Sequence, residues 1–255
     1  MKRAEVTSLG SGSKGNATLF RFGTTLLLID IGFSCKELER RLLLRGVTPS
    51  DVTAIVVTHE HSDHFNGVPT FSNKYHTPVW MSHGTSLHKN ASKLKYLNLF
   101  STHSSFRIDE VDVHPVLVPH DAREACQFVL KYEHRKMGIL TDLGHITPYI
   151  EEQYQNCEIL LLEFNHEPEL LLNSAYPDSL KKRVIGNLGH LSNDQASQFL
   201  TDKITRKLKY LVAMHLSEEN NKVDLVLSSI LSRQLDDNTQ VLLAHQNKGF
   251  DWIHI

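Results

Sequence analysis

His59, His61 and His64, with the carboxylate of Asp63 between the last two, fall within the six residues 59–64 and directly follow the apolar run Ala54-Ile55-Val56-Val57. Ligand-type side chains at this density, hung from the end of a short apolar strand, point to a metal site. They restrict the fold to one in which a buried strand delivers its end to an open cleft. His59 and His61 are two apart, so on an extended segment they face the same side and can grip one ion. Asp63 and His64 lie just beyond and can grip a second ion. In two-metal sites the ions stand about 3.5–4 Å apart and clamp both oxygens of a displacement. The plainer alternative is a solvated His-rich loop, and the addition of Asp63 and His64 to the His-x-His pair weighs against it.

Further candidates stand at the ends of other apolar runs. His120 closes Val116-Leu117-Val118-Pro119 and is followed by Asp121; it would complete a nitrogen set with His59 and His61. Asp142 ends Met137-Gly138-Ile139-Leu140-Thr141. Its two oxygens could bridge two ions, or it could cap the segment around Thr147. His215 ends Leu211-Val212-Ala213-Met214, whereas His190 lies in the loop Gly189-His190-Leu191-Ser192-Asn193, and the two compete for the last ligand position. Strand ends are the more rigid, which favours His215 as the ligand. His190, with Ser192, Asn193 and a helix start beside it, suits an oxyanion or a phosphate. Asp30 ends Leu26-Leu27-Leu28-Ile29 and precedes Ile31-Gly32, where it either orients a ligand histidine or forms an Asp-x-Gly turn. Ser8 to Asn16 is a Gly/Ser loop that could bring backbone N–H groups, with Ser11, Ser13 and Asn16, near an anion; it lacks the Gly-Lys-Ser/Thr ending of a nucleotide-binding P-loop.

The periodicities predict a hairpin of Thr18–Phe22 and Leu26–Ile29, a helix over Cys35–Arg45, a buried strand Ala54–Thr58 and a helix Gly67–Tyr75. A strand Val79–Met81 and a helix Leu87–Leu99 follow. Next come strands Glu110–Val118, Cys126–Glu133 and Lys136–Thr141, a helix Pro148–Gln155 and a strand Glu158–Leu162. The chain closes with a helix Ser192–Lys203, a strand Lys209–Met214, a helix Glu218–Leu235 and a last strand Val241–Ala244. Strands dominate each half and helices follow them, which fits two sheets packed face to face with helices outside better than one doubly wound sheet.

With 255 residues and no Pro/Gly/Ser linker, one domain spanning 1–255 is expected. The N-terminus runs straight into a short strand-like segment without a leader-type apolar stretch. No window approaches the roughly 18 apolar residues of a membrane span. Three widely spaced cysteines, Cys35, Cys126 and Cys157, read as buried structural thiols of a reducing cytoplasm. The net charge of −2 argues against general stickiness to nucleic acid. Yet residues 65–108 contain no Asp or Glu while carrying Lys74, Lys89, Lys93, Lys95 and Arg107. That is either a local basic surface suited to a polyanion or neutral surface with scattered lysines.

Taken in order, His59, His61, Asp63, His64, His120, Asp142 and His215 make the chain resemble the metallo-β-lactamase superfamily. The likeness extends from Leu28-Ile29-Asp30-Ile31-Gly32 to Met214-His215-Leu216-Ser217. It implies a four-layer αββα sandwich with a dinuclear site at one edge. Gly10 to Asn16, Gly189 to Asn193 and His215 to Asn221 are similar to the YycJ/WalJ/VicX group, which implies 5′-to-3′ DNA exonuclease activity. Comparison with the superfamily's tRNase Z members implies that a His like His190 pairs with an acidic residue, for which Glu163 is the nearest counterpart. His190-Leu191-Ser192 departs from their His-Ser pair by one residue. The chain leaves no room for their exosite arm or for the extra domain of the β-CASP nucleases.

The expected function is a metal-dependent phosphodiesterase acting on DNA. His59, His61 and His120 would hold one ion, Asp63, His64 and His215 the other, and Asp142 would bridge them. The ions, zinc or manganese, would bring the pKa of a bridging water from 15.7 towards about 7 and so supply hydroxide. Asp63 would help take up the proton, and His190 would serve the scissile phosphate or the leaving oxygen. The rivals are a small thioester or ester hydrolase of the same fold and a metal-stabilised nucleic-acid-binding protein without turnover. Oligomeric state and strand preference are not legible.

Overall fold

The computed structural model describes residues 4–233 and 235–255; Met1–Arg3 and Gln234, the latter inside the predicted helix 218–235, lie outside the described residues. Two seven-stranded sheets form the centre. In chain order, β1 (Ala4–Gly10), β2 (Ala17–Phe22), β3 (Thr25–Ile29), β4 (Ala54–Val56), β5 (Val79–Ser82) and β6 (Leu97–Phe100) build the first sheet. The second is built by β7 (Phe106–Ile108), β8 (Val111–Leu117), β9 (Cys126–Tyr132), β10 (Arg135–Leu140), β11 (Ile159–Glu163), β12 (Tyr210–Met214) and β13 (Gln240–Leu243); β14 (Phe250–His254) then returns to pair with β1. Strands β3 to β6 are mutually parallel, as are β10 to β13.

Period-two alternation decides which side chains meet. Phe20, Leu27, Ile29 and Val56 of the first sheet pack against Phe128, Leu130, Ile139, Leu161 and Val212 of the second in a core between the sheets. The alternate residues face outward under helices. Leu19, Leu28 and Ile55 lie beneath α1 (Cys35–Leu44), α2 (Ser62–Phe65) and α3 (Val68–Tyr75), while α4 (His83–Ser86) sits against β5 and β6. On the other side Leu160, Leu162 and Leu211 are covered by residues of α5 (Pro148–Tyr154), α8 (Asn193–Phe199), α9 (Asp202–Thr205) and α10 (Val223–Leu231). Strands buried on both faces read as continuous apolar runs such as Ile159-Leu160-Leu161-Leu162. The architecture is the expected four-layer αββα sandwich. Two short helices, α6 (Pro168–Leu172) and α7 (Asp178–Ile185), lie between β11 and α8.

Several elements depart from the sequence pattern. The helix predicted over Leu87–Leu99 dissolves into a 3-10 turn at Ala91–Lys93 and the strand β6, because Leu97 and Leu99 pair in register with Val79 and Met81 of β5. Tertiary pairing overrides a helical spacing that propensity alone would accept. The helix predicted over Ser192–Lys203 breaks at Leu200, and Thr201 turns extended to start α9. The helix predicted from Glu218 begins only at Val223, since Asn220 and Asn221 are drawn into contacts with the backbone at 164–167. Strands β7 and β14 and helices α6 and α7 had no counterpart in the prediction.

Among the described residues no helix is long and apolar enough to cross a membrane. The Cys126 and Cys157 thiols are buried, whereas Cys35 is half-buried and donates to Glu39. Burial pushes Cys157 up to about 12, and burial together with the Glu39 carboxylate does the same for Cys35. At pH 8 the native thiols should therefore react with a disulfide reagent about 10³-fold more slowly than a free thiol of pKa about 8.5. A fast phase in the folded protein would contradict this.

Candidate metal centre

The carboxyl ends of six strands meet at one edge of the sandwich, the usual place for a ligand in a parallel sheet. Asp30 follows β3, Thr58 to His64 follow β4, and His120 follows β8 after Val118 and Pro119. Asp142 follows β10, Glu163 closes β11 and His215 follows β12. Three of these residues, Asp30, Asp142 and His215, have φ of 61°, 57° and 55°. Left-handed backbone outside glycine costs about 1–3 kcal/mol per residue, least for small polar residues and His. Here it turns the chain sharply off each strand end and aims the side chain across the cleft. Gly32 is required for a different reason: a Cβ there would stand 1.8 Å from the carbonyl oxygen of Asp63.

His59, His61 and His120 form a first cluster. His59 Nε2 lies 3.1 Å from His61 Nδ1, and His120 Nε2 lies 3.2 Å from the same atom. Tetrahedral nitrogen ligands at about 2.0–2.1 Å from a metal stand about 3.3 Å apart, so the spacing fits one ion. Burial holds His59 well below the usual imidazole range, reinforced by His64, and burial lowers His120 despite Asp142. For His59 and His120 the direction of both shifts favours the neutral ring, which presents a lone pair.

Asp63, His64, Asp142 and His215 form a second cluster whose ligand atoms lie within 4.8 Å of one another. His64 Nε2 is 3.5 Å from Asp63 Oδ2 and 3.4 Å from Asp142 Oδ2; His215 Nε2 is 3.6 Å from Asp142 Oδ1. Burial opposes ionisation of Asp142, yet His215 and His64 outweigh it and hold the carboxyl well below its ordinary range. Burial likewise works against protonated His215, but Asp142, Asp63 and Glu163 raise it to about 10. Such reciprocal shifts mark a buried pocket with an excess of negative charge. Asp142 Oδ2 and His215 Nε2 are buried without a hydrogen-bond partner, which the fold would not tolerate cheaply unless a cation supplied one. The donor set, neutral nitrogens on one side and anionic oxygens with nitrogens on the other, fits two divalent ions.

His59, His64, His120 and His215 each have the remote nitrogen tied to an acceptor, which turns the other nitrogen inward. His64 Nδ1 faces Asp30 Oδ2 at 2.8 Å, and Asp30 also accepts from the Thr58 N–H and hydroxyl at 2.8 and 2.7 Å. The Thr58 hydroxyl, having donated its proton, accepts from His59 Nδ1 at 2.9 Å. His120 Nδ1 faces the Gly189 carbonyl at 3.2 Å. Glu163 is a fully buried hub: its Oε1 lies 3.0 Å from His215 Nδ1, 3.0 Å from His190 Nδ1 and 3.1 Å from the Asp142 N–H, and its Oε2 accepts from the Leu191 N–H at 2.8 Å. Despite burial, His190 and His215 bring Glu163 down to about 2. It is therefore an acceptor only, and both histidines must donate through Nδ1.

The clusters open into a cleft of about 410 Å³ lined by His61, Asp63, Asp142, His190 and His215, with Tyr176, Leu180, Arg183 and Val184 from the α6–α7 segment opposite. Of the loop residues expected to touch an anion, Ser13 reaches the cleft wall. Ser11 is buried, and its hydroxyl instead accepts the His215 N–H at 2.8 Å. Asn16 is half-buried and engaged within the protein: its Nδ2 lies 3.0 Å from His64 Nε2, and its backbone N–H donates to the Asp63 carbonyl at 2.8 Å. The N–H groups of Gly12, Lys14 and Gly15 are consumed by Asn16, Gln246 and Gly12 respectively, so the loop presents no anion nest. Ser192 caps α8 in a capping box with Gln195, and Asn193 is buried against Asn221 and Glu167. Both are occupied by structure.

The acid-free flank also falls short of expectation. Lys74 is paired with Glu39 and Arg107 with Asp112, and none of its five cations lines the cleft. Arg183 is the one Lys or Arg side chain in that wall among the described residues. Sequence reasoning missed it, since it belongs to a short exposed helix without a motif. A larger recess of about 640 Å³ near Arg41, Arg45 and Phe250 lies apart from the clusters. Its buried guanidiniums are already engaged, Arg41 by Glu37 and the Leu9 carbonyl, Arg45 by Asp251.

A profile of the Beta-lactamase superfamily domain matches residues 25–215. The exodeoxyribonuclease YycJ of Bacillus anthracis is 31% identical over 249 residues, 95% of this chain and 89% of the relative. The exodeoxyribonuclease WalJ of Streptococcus pneumoniae is 28% identical over 231 residues, 88% of this chain and 86% of that protein. Among solved structures, the metallo-β-lactamase fold protein YhfI of Bacillus subtilis superposes with a TM-score of 0.76 at 14% identity, covering all of both chains.

Proposed function

The chain belongs to the metallo-β-lactamase superfamily, and from that membership and its doubled donor set we propose that it is a two-metal phosphodiesterase that degrades DNA from strand ends. A metal-dependent hydrolase acting on phosphate esters is the coarser reading; the choice of DNA and of exonucleolytic action is supported by what the relatives YycJ and WalJ are named for. The observation that carries it is the pair of abutting clusters, one neutral and one anionic, opening into a single cleft.

His59, His61 and His120 would hold one ion and Asp63, His64 and His215 the other, with Asp142 shared. Zinc and manganese both suit these ligands. Divalent ions held by these residues would acidify a water and offset phosphate charge. The protein side chains do the rest. Asp63, kept ionised against burial by His64 and His215, lines the cleft where a proton must be taken up. His190 is held by Glu163 through Nδ1, which leaves Nε2 for the substrate; in the doubly protonated ring the Nε2–H would stabilise the phosphate or pass its proton to the leaving oxygen. The Gly189 carbonyl, 3.2 Å from His120 Nδ1, keeps that ring from turning away.

The test is digestion of end-labelled linear DNA and RNA of both polarities after removal of bound metal, then with manganese or zinc restored, beside Asp63→Asn. The expected result is metal-dependent release of nucleotides from DNA by the wild type and a loss of about 10²-fold or more in Asp63→Asn. Turnover of a thioester panel with DNA left intact would sink the reading.

A further inference from the structure

Opposite the metal clusters, the cleft wall has the makings of a nucleotide subsite. Arg183 on α7 is held in a fork by Asp121, with Nε 2.5 Å from Oδ2 and Nη2 3.1 Å from Oδ1. Asp121 Oδ1 in turn stands 3.7 Å from both His61 Nε2 and His120 Nε2. The guanidinium is thereby pinned beside the first cluster, and Nη1 is not engaged by Asp121. Arginine fixed in this way is preorganised for phosphate oxygens. Tyr176, half-buried just before α7, places an aromatic ring in the same wall. Across the cleft, Asn220 is 1% exposed, and its Oδ1 is buried without a hydrogen-bond partner. A buried amide oxygen left unpaired asks for a donor from a ligand.

We propose that this wall binds one nucleotide of an unpaired strand end, with Arg183 on a phosphate, Tyr176 stacked on the base and Asn220 accepting from the sugar or the base edge. The proposal rests on the phosphodiesterase reading above and adds how the substrate is selected. The cleft volume of about 410 Å³ lies low in the range of about 300–1,000 Å³ usual for small-molecule sites, which suits a single nucleotide. On this proposal the terminal base leaves its stack to enter the wall. The sequence tolerance of the subsite follows, because every base offers a π-face to tyrosine.

The experiment measures binding of thymidine 5′-monophosphate to the metal-loaded protein by calorimetry, together with digestion of linear DNA bearing a single-stranded tail, blunt duplex and a covalently closed circle. Arg183→Ala should weaken mononucleotide binding about 10-fold or more and raise KM while kcat changes little. Tyr176→Ala should weaken it about 5-fold or more, and Tyr176→Phe should not. Asp121→Asn separates a phosphate contact from a purely structural ion pair: it loosens the fork but keeps the guanidinium, so it should weaken mononucleotide binding by less than Arg183→Ala does, whereas a purely structural pair would make the two losses equal. Tailed DNA should be cut fastest, and the closed circle should resist. Equal mononucleotide affinity in wild type and Arg183→Ala, or a circle cut as fast as tailed DNA, overturns the subsite. If the wild type cuts no DNA at all, the phosphodiesterase reading fails instead, and the binding arm still decides whether the nucleotide wall exists.

Discussion

Asp142→Ala lowers kcat by about 10³-fold or more and reduces bound metal from about two ions per chain to about one. The carboxylate is the group that both His64 and His215 approach, at 3.4 and 3.6 Å, and one of its oxygens is buried with no hydrogen-bond partner. Removing it takes away a shared anionic ligand and leaves two imidazoles that burial disfavours as cations. A lost metal contribution of several kcal/mol to the transition state, at tenfold in rate per about 1.4 kcal/mol, gives the expected factor. The cluster of His59, His61 and His120 remains and should retain its ion, since its atoms are held by Thr58 and Gly189 independently of Asp142. Metal analysis of purified protein beside steady-state kinetics checks both halves. A variant that keeps two ions and full turnover would show that Asp142 is a cap and not a ligand.

Glu163→Gln is the second large effect. One oxygen of Glu163 receives His190, His215 and the Asp142 N–H, so a single side chain sets the ring orientation of a candidate ligand, that of the candidate proton donor, and the backbone of a third site residue. An amide can accept from only part of this set. Loss of an orienting partner of a metal-ligating histidine costs about 10–100-fold in metal affinity or activity. The effect should appear at both levels, as weaker binding of the second ion and as lower kcat at saturating metal. A purely structural role would lower the unfolding midpoint and leave both unchanged. Glu163→Ala, which strands the buried His215 imidazole and the half-buried His190, should in addition cost about 3–5 kcal/mol of stability. The pH dependence has a definite sign. The Glu163 pKa falls from 4.5 to about 2 on folding, so its contribution in the metal-free protein is present above about pH 4.5 and is lost as pH falls towards 2. Glu163→Gln should flatten the stability curve in that window.

The ligand candidates were legible because metal chemistry leaves a local trace. His59-x-His61-x-Asp63-His64 is a dense run, and His120, Asp142 and His215 each close an apolar strand whose end the fold must expose. Asp30 was legible for the same reason, and the structure resolves its alternatives by letting it do both jobs: it turns in the left-handed region and orients His64. For His190 and His215, which compete for the last ligand position in the linear chain, the structure adds distances: His215 Nε2 stands 3.6 Å from Asp142 Oδ1, and both rings line the cleft and reach Glu163 through Nδ1.

Residues near the motifs but facing elsewhere were harder to read. Ser11, Ser192 and Asn193 have the right chemistry for an anion, yet a hydroxyl or amide next to a helix start is as well used on the backbone. The structure uses Ser11 and Ser192 in that way and buries Asn193 among other polar side chains. The basic flank was a property of the linear chain, and the fold pairs Lys74 and Arg107 with Glu39 and Asp112, which lie outside residues 65–108.

Local pattern determined the buried strands, the αββα class and the residue types that end each strand, because alternation and ligand chemistry act within a few residues. Tertiary structure alone decided which strand ends converge, that His190 and His215 share Glu163, and that Arg183, the one Lys or Arg of the cleft wall among the described residues, comes from the short helix α7. Those outcomes depend on contacts between segments far apart in the chain, such as Glu163 with His190 and His215, or Arg183 with Asp121, and no local periodicity encodes such a distance.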